Sequence, residues 1–219
     1  AALRFYNTKN LMWAGSAGLM IGLSMASKVS SAQVVPLVGL FLILARIRSA
    51  ADIYSFRNVV RACIAGGFAG IAAYFALRIG DPHIFADAHI FNIRLNVQFV
   101  HNLNQLRAFA GPESLYPPNI QWLSSKKVVS PLINIIFVGL GLPYFIMVMI
   151  GLAQWIRETT ATKAMVLWMA LLFLFLSVQN VTTIRYFYHL YPLFAVAGGL
   201  GLMLTLQHID HRKALKIAV

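Results

Sequence analysis

Apolar residues gather into six runs along the chain, at about 11–26, 31–45, 59–79, 129–155, 164–180 and 190–208. A helix needs about 20 mainly apolar residues to cross a hydrocarbon core. The pattern therefore predicts an all-α, polytopic membrane helix bundle of about six transmembrane segments, with residues 1–219 part of one transmembrane domain. The first two runs are short. Gly15, Ser16, Gly18, Gly22 and Ser24 give the first a small-residue face suited to close helix packing. Residues 11–45 can also be drawn as one re-entrant pair instead of two full spans.

Residues 80–128 interrupt this pattern and form the one long stretch that is not an apolar span. Within it Ile84, Ala88, Phe91, Leu95, Phe99, Leu103 and Leu106 recur at steps of three and four, a helical stripe. Asn92, Asn96, His101 and Gln105 fall off that stripe. An amphipathic helix between membrane spans would lie in the interface with its apolar face down. Gly111-Pro112 ends it, and Tyr116-Pro117-Pro118 forces an extended turn.

Composition sharpens this picture: 59% of the 219 residues are hydrophobic and only 11% charged, less than half the usual share of about 25%. The formal net charge of +12 does not point to nucleic acid, because the basic residues form no patch with interleaved aromatics. They sit in the short connections, where they set orientation and attract anionic headgroups. Arg46, Arg48, Arg57 and Arg61, then Arg157 and Lys163, then Arg212, Lys213 and Lys216 alternate onto one side with Arg4 and Lys9. That side is expected to be cytoplasmic. The Lys28 turn, the 80–128 loop and the turn around Arg185 are then extracytoplasmic, in a multi-pass plasma-membrane protein. The single cysteine, Cys63, permits no internal disulfide. Residues 1–10 lack a signal-peptide layout, and the chain reads as a piece of something longer.

The candidate chemistry collects on the extracytoplasmic side. Lys28, with Ser27, Ser30 and Ser31 beside it, is either a snorkelling lysine or a phosphate contact at the outer interface. Arg185 suits a bidentate grip on phosphate, and Tyr186, Tyr188, His189 and Tyr191 surround it, as interfacial anchors or as binding groups. Gln121-Trp122 offers an amide for hydroxyls and an indole face for a sugar ring, or a plain interfacial anchor. Asp81, His83, Asp87 and His89 are the candidate metal ligands: on a helix, His83 and Asp87 would lie one turn apart. Polar interfacial residues are the preferred reading there. The Asn180-Val181-Thr182 sequon abuts a span and is set aside.

Three stretches carry a family resemblance: GLMIGLSMASKVSSAQVVPL from Gly18, RYFYHLYPLFAVAGGLGL from Arg185, and the central RIGDPHIF…GPESLYPPNIQW from Arg78 to Trp122. They resemble the large membrane-embedded glycosyltransferases of the GT-C type, the superfamily of the protein O-mannosyltransferases. The central stretch is similar to the bacterial and archaeal branch known as YYY-type membrane proteins. The resemblance implies transfer of a sugar from a polyprenyl-phosphate carrier to an acceptor on the extracytoplasmic face. It implies that Lys28 and Arg185 meet the carrier phosphate, with Arg78, Gln121, Trp122, Tyr186 and His189 as further lipid-phosphate or substrate contacts. In that superfamily the acidic base lies in the first extracytoplasmic loop. No such loop is found here, so the base is expected outside this chain and the chain alone is expected to be inactive. Donor sugar, acceptor and cofactor stay unassigned, with a divalent metal left open; membrane lipid is the expected partner and nucleic acid is not. The rival readings are a multi-pass transporter or channel segment, which would place charges or broken helices near mid-bilayer, and a non-catalytic binder of lipid carriers.

Overall fold

Helix boundaries in this protein follow local capping. In the computed structural model, which describes residues 1–45, 55–111, 120–122 and 124–217 (side chains to 209), Lys9 turns left-handed (φ 58°) and ends α1, Ala2–Thr8. The side chain of Asn10 then accepts the amide of Met12 at 2.9 Å and opens α2, Leu11–Ser27. A tight helical turn over Val29–Val34 leads into α3, Val35–Leu44, with Pro36 in its first turn. Next come α4, Phe56–Gly80, and α5, Val97–Phe109. Beyond these, α6, Val129–Asn134, widens into a π-helical stretch, Ile135–Leu140. The remaining helices are α7, Leu142–Arg157; α8, Thr160–Ser177; and α9, Tyr191–Ile217. The described residues hold no strand, only one isolated bridge between Phe85 and Leu95. The all-helical class expected from the sequence is what the fold shows.

Among the described residues three helices are long and apolar enough to cross a membrane: α4, α8 and the Tyr191–Ile209 part of α9. A fourth is reached if α6 with its π-helical continuation and α7 form one span, though they meet at 108°. The run at 129–155 is thus not the single straight helix its hydrophobicity suggested. Gly141 takes a φ of +77°, which favours glycine, and Pro143 supplies no amide to the preceding turn. The first two runs form the shorter apolar helices, Leu11–Ser27 and Val29–Leu44.

The chain divides into two compact units, Ala1–Ala108 and Phe109–Val219. In the first, α2 lies directly on α4. A Cβ on Gly18 would land on the Ala69 carbonyl, and one on Gly22 on the Ala73 carbonyl, so the two backbones touch. Gly15 meets Phe68 and Gly80 meets Ala26. Residue numbers rise together along both helices, so the pair is parallel. The small-residue face read from the sequence is this contact. Phe5, Ala14, Leu42, Ala45, Ala65 and Ala69 close the core of the unit.

In the second unit α7 and α9 make the equivalent contact, with Gly151 against the Ala197 carbonyl and Gly201 against the Met147 carbonyl. The Tyr144 hydroxyl reaches the carbonyls of Phe194 and Ala195 at the start of α9, so this pair is parallel too. A reciprocal cap, in which Thr159 and Thr162 each accept the other's amide, starts α8 between them. The end of α8 and the start of α9 are joined by the short connection 178–190, beside the start of α7.

Arg46, Arg48, Pro112 and Tyr116-Pro117-Pro118, and the side chains of Arg212, Lys213 and Lys216, lie outside the described residues.

Candidate functional site

Each unit gathers polar groups at one end of its parallel helix pair. In the first unit that end holds the Lys28 turn and the loop after α4, because Ala26 and Gly80 are in contact. Lys28 is exposed where α2 stops, its amide donating to Ser24 and its carbonyl accepting from Ser31. Its ammonium meets no acidic partner among the described residues. Behind it Ser30 Oγ and Gln33 Oε1 are buried without a hydrogen-bond partner.

The loop from Asp81 to Asn96 differs from the sequence expectation. The stripe from Ile84 to Leu106 predicted one helix, but after the single tight turn Pro82–Ile84 only Val97–Phe109 is helical. Before it the chain closes on itself: Ala86 donates to the Arg94 carbonyl at 2.9 Å, and Asn96 to the Ile84 carbonyl at 2.8 Å. Three side-chain oxygens each capture the amide two residues on, from Asp87 to His89, Asn92 to Arg94 and Asn96 to Gln98. The last of these opens α5. Local side-chain bonding has replaced helix here, which is the competition Asp and Asn are known for.

Arg78, in the last turn of α4, fastens this loop. It is 5% exposed, lies 4.3 Å over the Phe85 ring, and donates from Nη2 to the carbonyls of Asp87 and His89, the latter at 2.7 Å. The Asp87 carboxylate stands 3.7 Å from the same nitrogen, and Nη1 is buried without a partner. The Tyr74 hydroxyl adds a bond to the Ile90 carbonyl. The Asn92 side chain, then the His89 amide, then Arg78 and His89 hold the Asp87 carboxyl below its ordinary pKa of 3.8. Such a group is ionised and committed, the opposite of a base poised near neutrality. His83 and Asp87 are not one helical turn apart, since Asp81–Asn96 is not a continuous helix. Among the described residues no three His, Cys, Asp or Glu side chains come together as a metal site.

In the second unit the polar end is the 178–190 connection. Lys127 Nζ donates to the Gln179 carbonyl at 2.6 Å and to Asn180 Oδ1 at 3.3 Å, while Asn180 Nδ2 reaches the Ala110 carbonyl. These bonds tie the chain around Gln121 and Trp122 to the end of α8. Gln121 is exposed; Trp122 is half-buried, and its indole Nε1 is unpartnered. One helical turn, Ile184–Phe187, carries Arg185 and Tyr186. Phe187 is fully buried against Phe173 of α8, which turns Arg185 outward. The Arg185 guanidinium is exposed, 5.4 Å over the Tyr186 ring, with no acidic partner among the described residues. His189 Nδ1 and the Tyr191 hydroxyl are buried and unpartnered, the latter against Gly139 of the π-helical stretch.

The structure thus draws Arg185, Tyr186, His189, Gln121 and Trp122 to one unit, and Lys28 and Arg78 to the other. Lys127 and the hydroxyls of Ser177, Thr182 and Thr183 are polar features that the sequence reading did not single out. The signal was there as the run SVQNVTT, five polar residues interrupted by two valines at the end of an apolar span. Comparison with known proteins returns nothing: no family model, no curated protein and no solved structure matches the chain.

Proposed function

We propose that this chain is the lipid-handling part of a membrane glycosyltransferase of the GT-C type. It would grip a polyprenyl-phosphate-linked sugar at the extracytoplasmic face for transfer to an acceptor. The observation that carries this reading is Arg185, an exposed guanidinium with no carboxylate partner among the described residues, on a single turn between two helices long enough to span. Lys28 supports it from the other unit, exposed at the break between two apolar helices. A lipid-linked donor keeps its tail in the bilayer and its phosphate at headgroup depth. Fixed cations there bind the carrier and gain strength as negative charge develops on the leaving phosphate.

Affinity for a short-chain polyprenyl phosphate in detergent micelles tests the proposal. Arg185→Ala should weaken binding about tenfold, the loss of one good charge-assisted contact, with helical content unchanged. Unaltered affinity would sink the phosphate role.

A transport reading has one specific observation in its favour, the 108° break at Gly141 within an otherwise apolar pair. Under that reading a Gly141→Ala variant would abolish solute flux in liposomes, and lipid-phosphate affinity would not depend on Arg185.

A further inference from the structure

Between Ser177 and Tyr191 five buried polar atoms lack a hydrogen-bond partner among the described residues: Ser177 Oγ, Thr182 Oγ1, Thr183 Oγ1, His189 Nδ1 and the Tyr191 hydroxyl. Ser177 is 0% and Thr182 1% exposed. A buried hydroxyl without a partner is destabilising by about 1–3 kcal/mol, and native proteins keep few of them. A helical serine such as Ser177 ordinarily bonds back to the preceding turn, and this one does not. Concentrating such atoms in one connection leaves hydrogen-bonding capacity there for a water or a ligand to take up.

The chemistry of the set narrows what that is. Residues 177–191 contain no Asp or Glu, so a divalent cation would lack its usual carboxylates. A bare anion would take the hydroxyls' donors beside Arg185 but leave their acceptor sites unused. Each hydroxyl offers one donor and two acceptor sites, and the imidazole and phenol add groups of either sense. That mixture matches a polyol, whose neighbouring hydroxyls both give and accept. We propose that the hydroxyls of Ser177, Thr182 and Thr183, with His189 and Tyr191, form a subsite for the sugar ring of a sugar phosphate whose phosphate is held by Arg185. This deepens the reading above and rests on it. The atoms are shielded from solvent, so the sugar reaches them as the connection shifts. Gln179 and Asn180 are tied to Lys127, and Asn180 to Ala110. From Thr183 to Leu190, however, the backbone bonds are short-range, such as Tyr186 to Thr183 and Leu190 to Phe187, so that stretch can move without unravelling a helix.

The test compares three probes on the full chain in micelles: bare polyprenyl phosphate, the same lipid carrying a hexose, and soluble hexose 1-phosphate. Thr182→Val and Ser177→Ala should each weaken the sugar-bearing probes about tenfold and leave the bare lipid unchanged. Thr182→Ser, which keeps the hydroxyl, should bind as the wild type does. A loss seen with the hexose lipid alone assigns the site to the lipid-linked sugar; a loss with hexose 1-phosphate as well assigns it to sugar phosphates in general. Both support the subsite. Removal of an unpartnered hydroxyl should leave the thermal midpoint of the free protein unchanged or higher. A marked fall in both variants would make the hydroxyls part of the fold and overturn the proposal. Wild-type binding of the bare lipid with no effect of either variant on the hexose lipid overturns the subsite alone. Failure of the wild type to bind any polyprenyl phosphate overturns the glycosyltransferase reading with it.

Discussion

At the scale of single residues, Arg78 and Asp87 show how one loop is held in shape. Arg78 keeps its guanidinium on two loop carbonyls and an aromatic face. Removing it leaves those acceptors without their donor, and hydrogen bonds to charged groups contribute about 1.5–3 kcal/mol each. Arg78→Ala should therefore raise the hydrogen-exchange rates of the Ala86 and Asn96 amides at least tenfold while α4 stays protected; unchanged rates would remove Arg78 from its clamping role. Asp87 makes a separate prediction about pH. Its folded-state pKa is depressed, chiefly by Asn92, so the order it lends the loop is complete above the unfolded value, near 3.9. That order is lost as pH falls through the lower folded pKa. A carbon-detected titration of the carboxyl should give a value below 3.8, and Asn92→Ala should move it up towards 3.8. A carboxyl that titrates identically in both proteins would mean that Asn92 is not the main cause.

At the scale of elements, the two parallel helix pairs make an internal control on what glycine does. Gly18 has the Ala69 carbonyl where a side chain would be, whereas nothing lies near a Cβ placed on Gly66 of α4. Gly18→Val must therefore push the helices apart, at about 1–3 kcal/mol for overpacking of this kind. Gly66→Ala should be neutral or stabilising, by up to about 1 kcal/mol of helix propensity. Thermal unfolding in detergent separates the two, and equal midpoints would deny that α2 and α4 touch through their backbones. This contact was readable in the sequence because Gly15, Gly18 and Gly22 fall on one face of a helix that is otherwise apolar. The loop from Asp81 to Asn96 was not, although its signal existed. Apolar spacing of three and four residues also arises in a short closed loop whose Ile84 and Phe85 turn inward. Asp87, Asn92 and Asn96, each followed two residues on by the amide it captures, were the residues that argued against helix. The break at Gly141 was similarly masked, because hydrophobicity reports that a run is apolar and not that it is straight.

At the scale of the molecule, the candidate site was legible as a list of residues and not as an arrangement. The sequence picked out Arg185 and Trp122 by type. It had no means of showing that Lys127 ties their segments together, because that bond joins residues far apart in the chain. Which membrane face carries them follows from the charge pattern alone, and that inference has a direct check. Cys63 is the only cysteine, so a Cys63→Ser background gives a clean host for single labelled positions. The alternation of Lys and Arg predicts that Arg185→Cys reacts with an impermeant maleimide in intact cells, and that Lys163→Cys reacts only after permeabilisation. Lys28→Cys decides how the first two apolar helices are used. If they are two spans, it labels from outside like residue 185. If residues 11–45 dip in and return, it stays unlabelled in intact cells while residue 185 still labels, and Lys28 then loses its claim on a phosphate at headgroup depth. Labelling of positions 185 and 163 from the same side would overturn the topology, because α8 alone separates them and is long and apolar enough to cross.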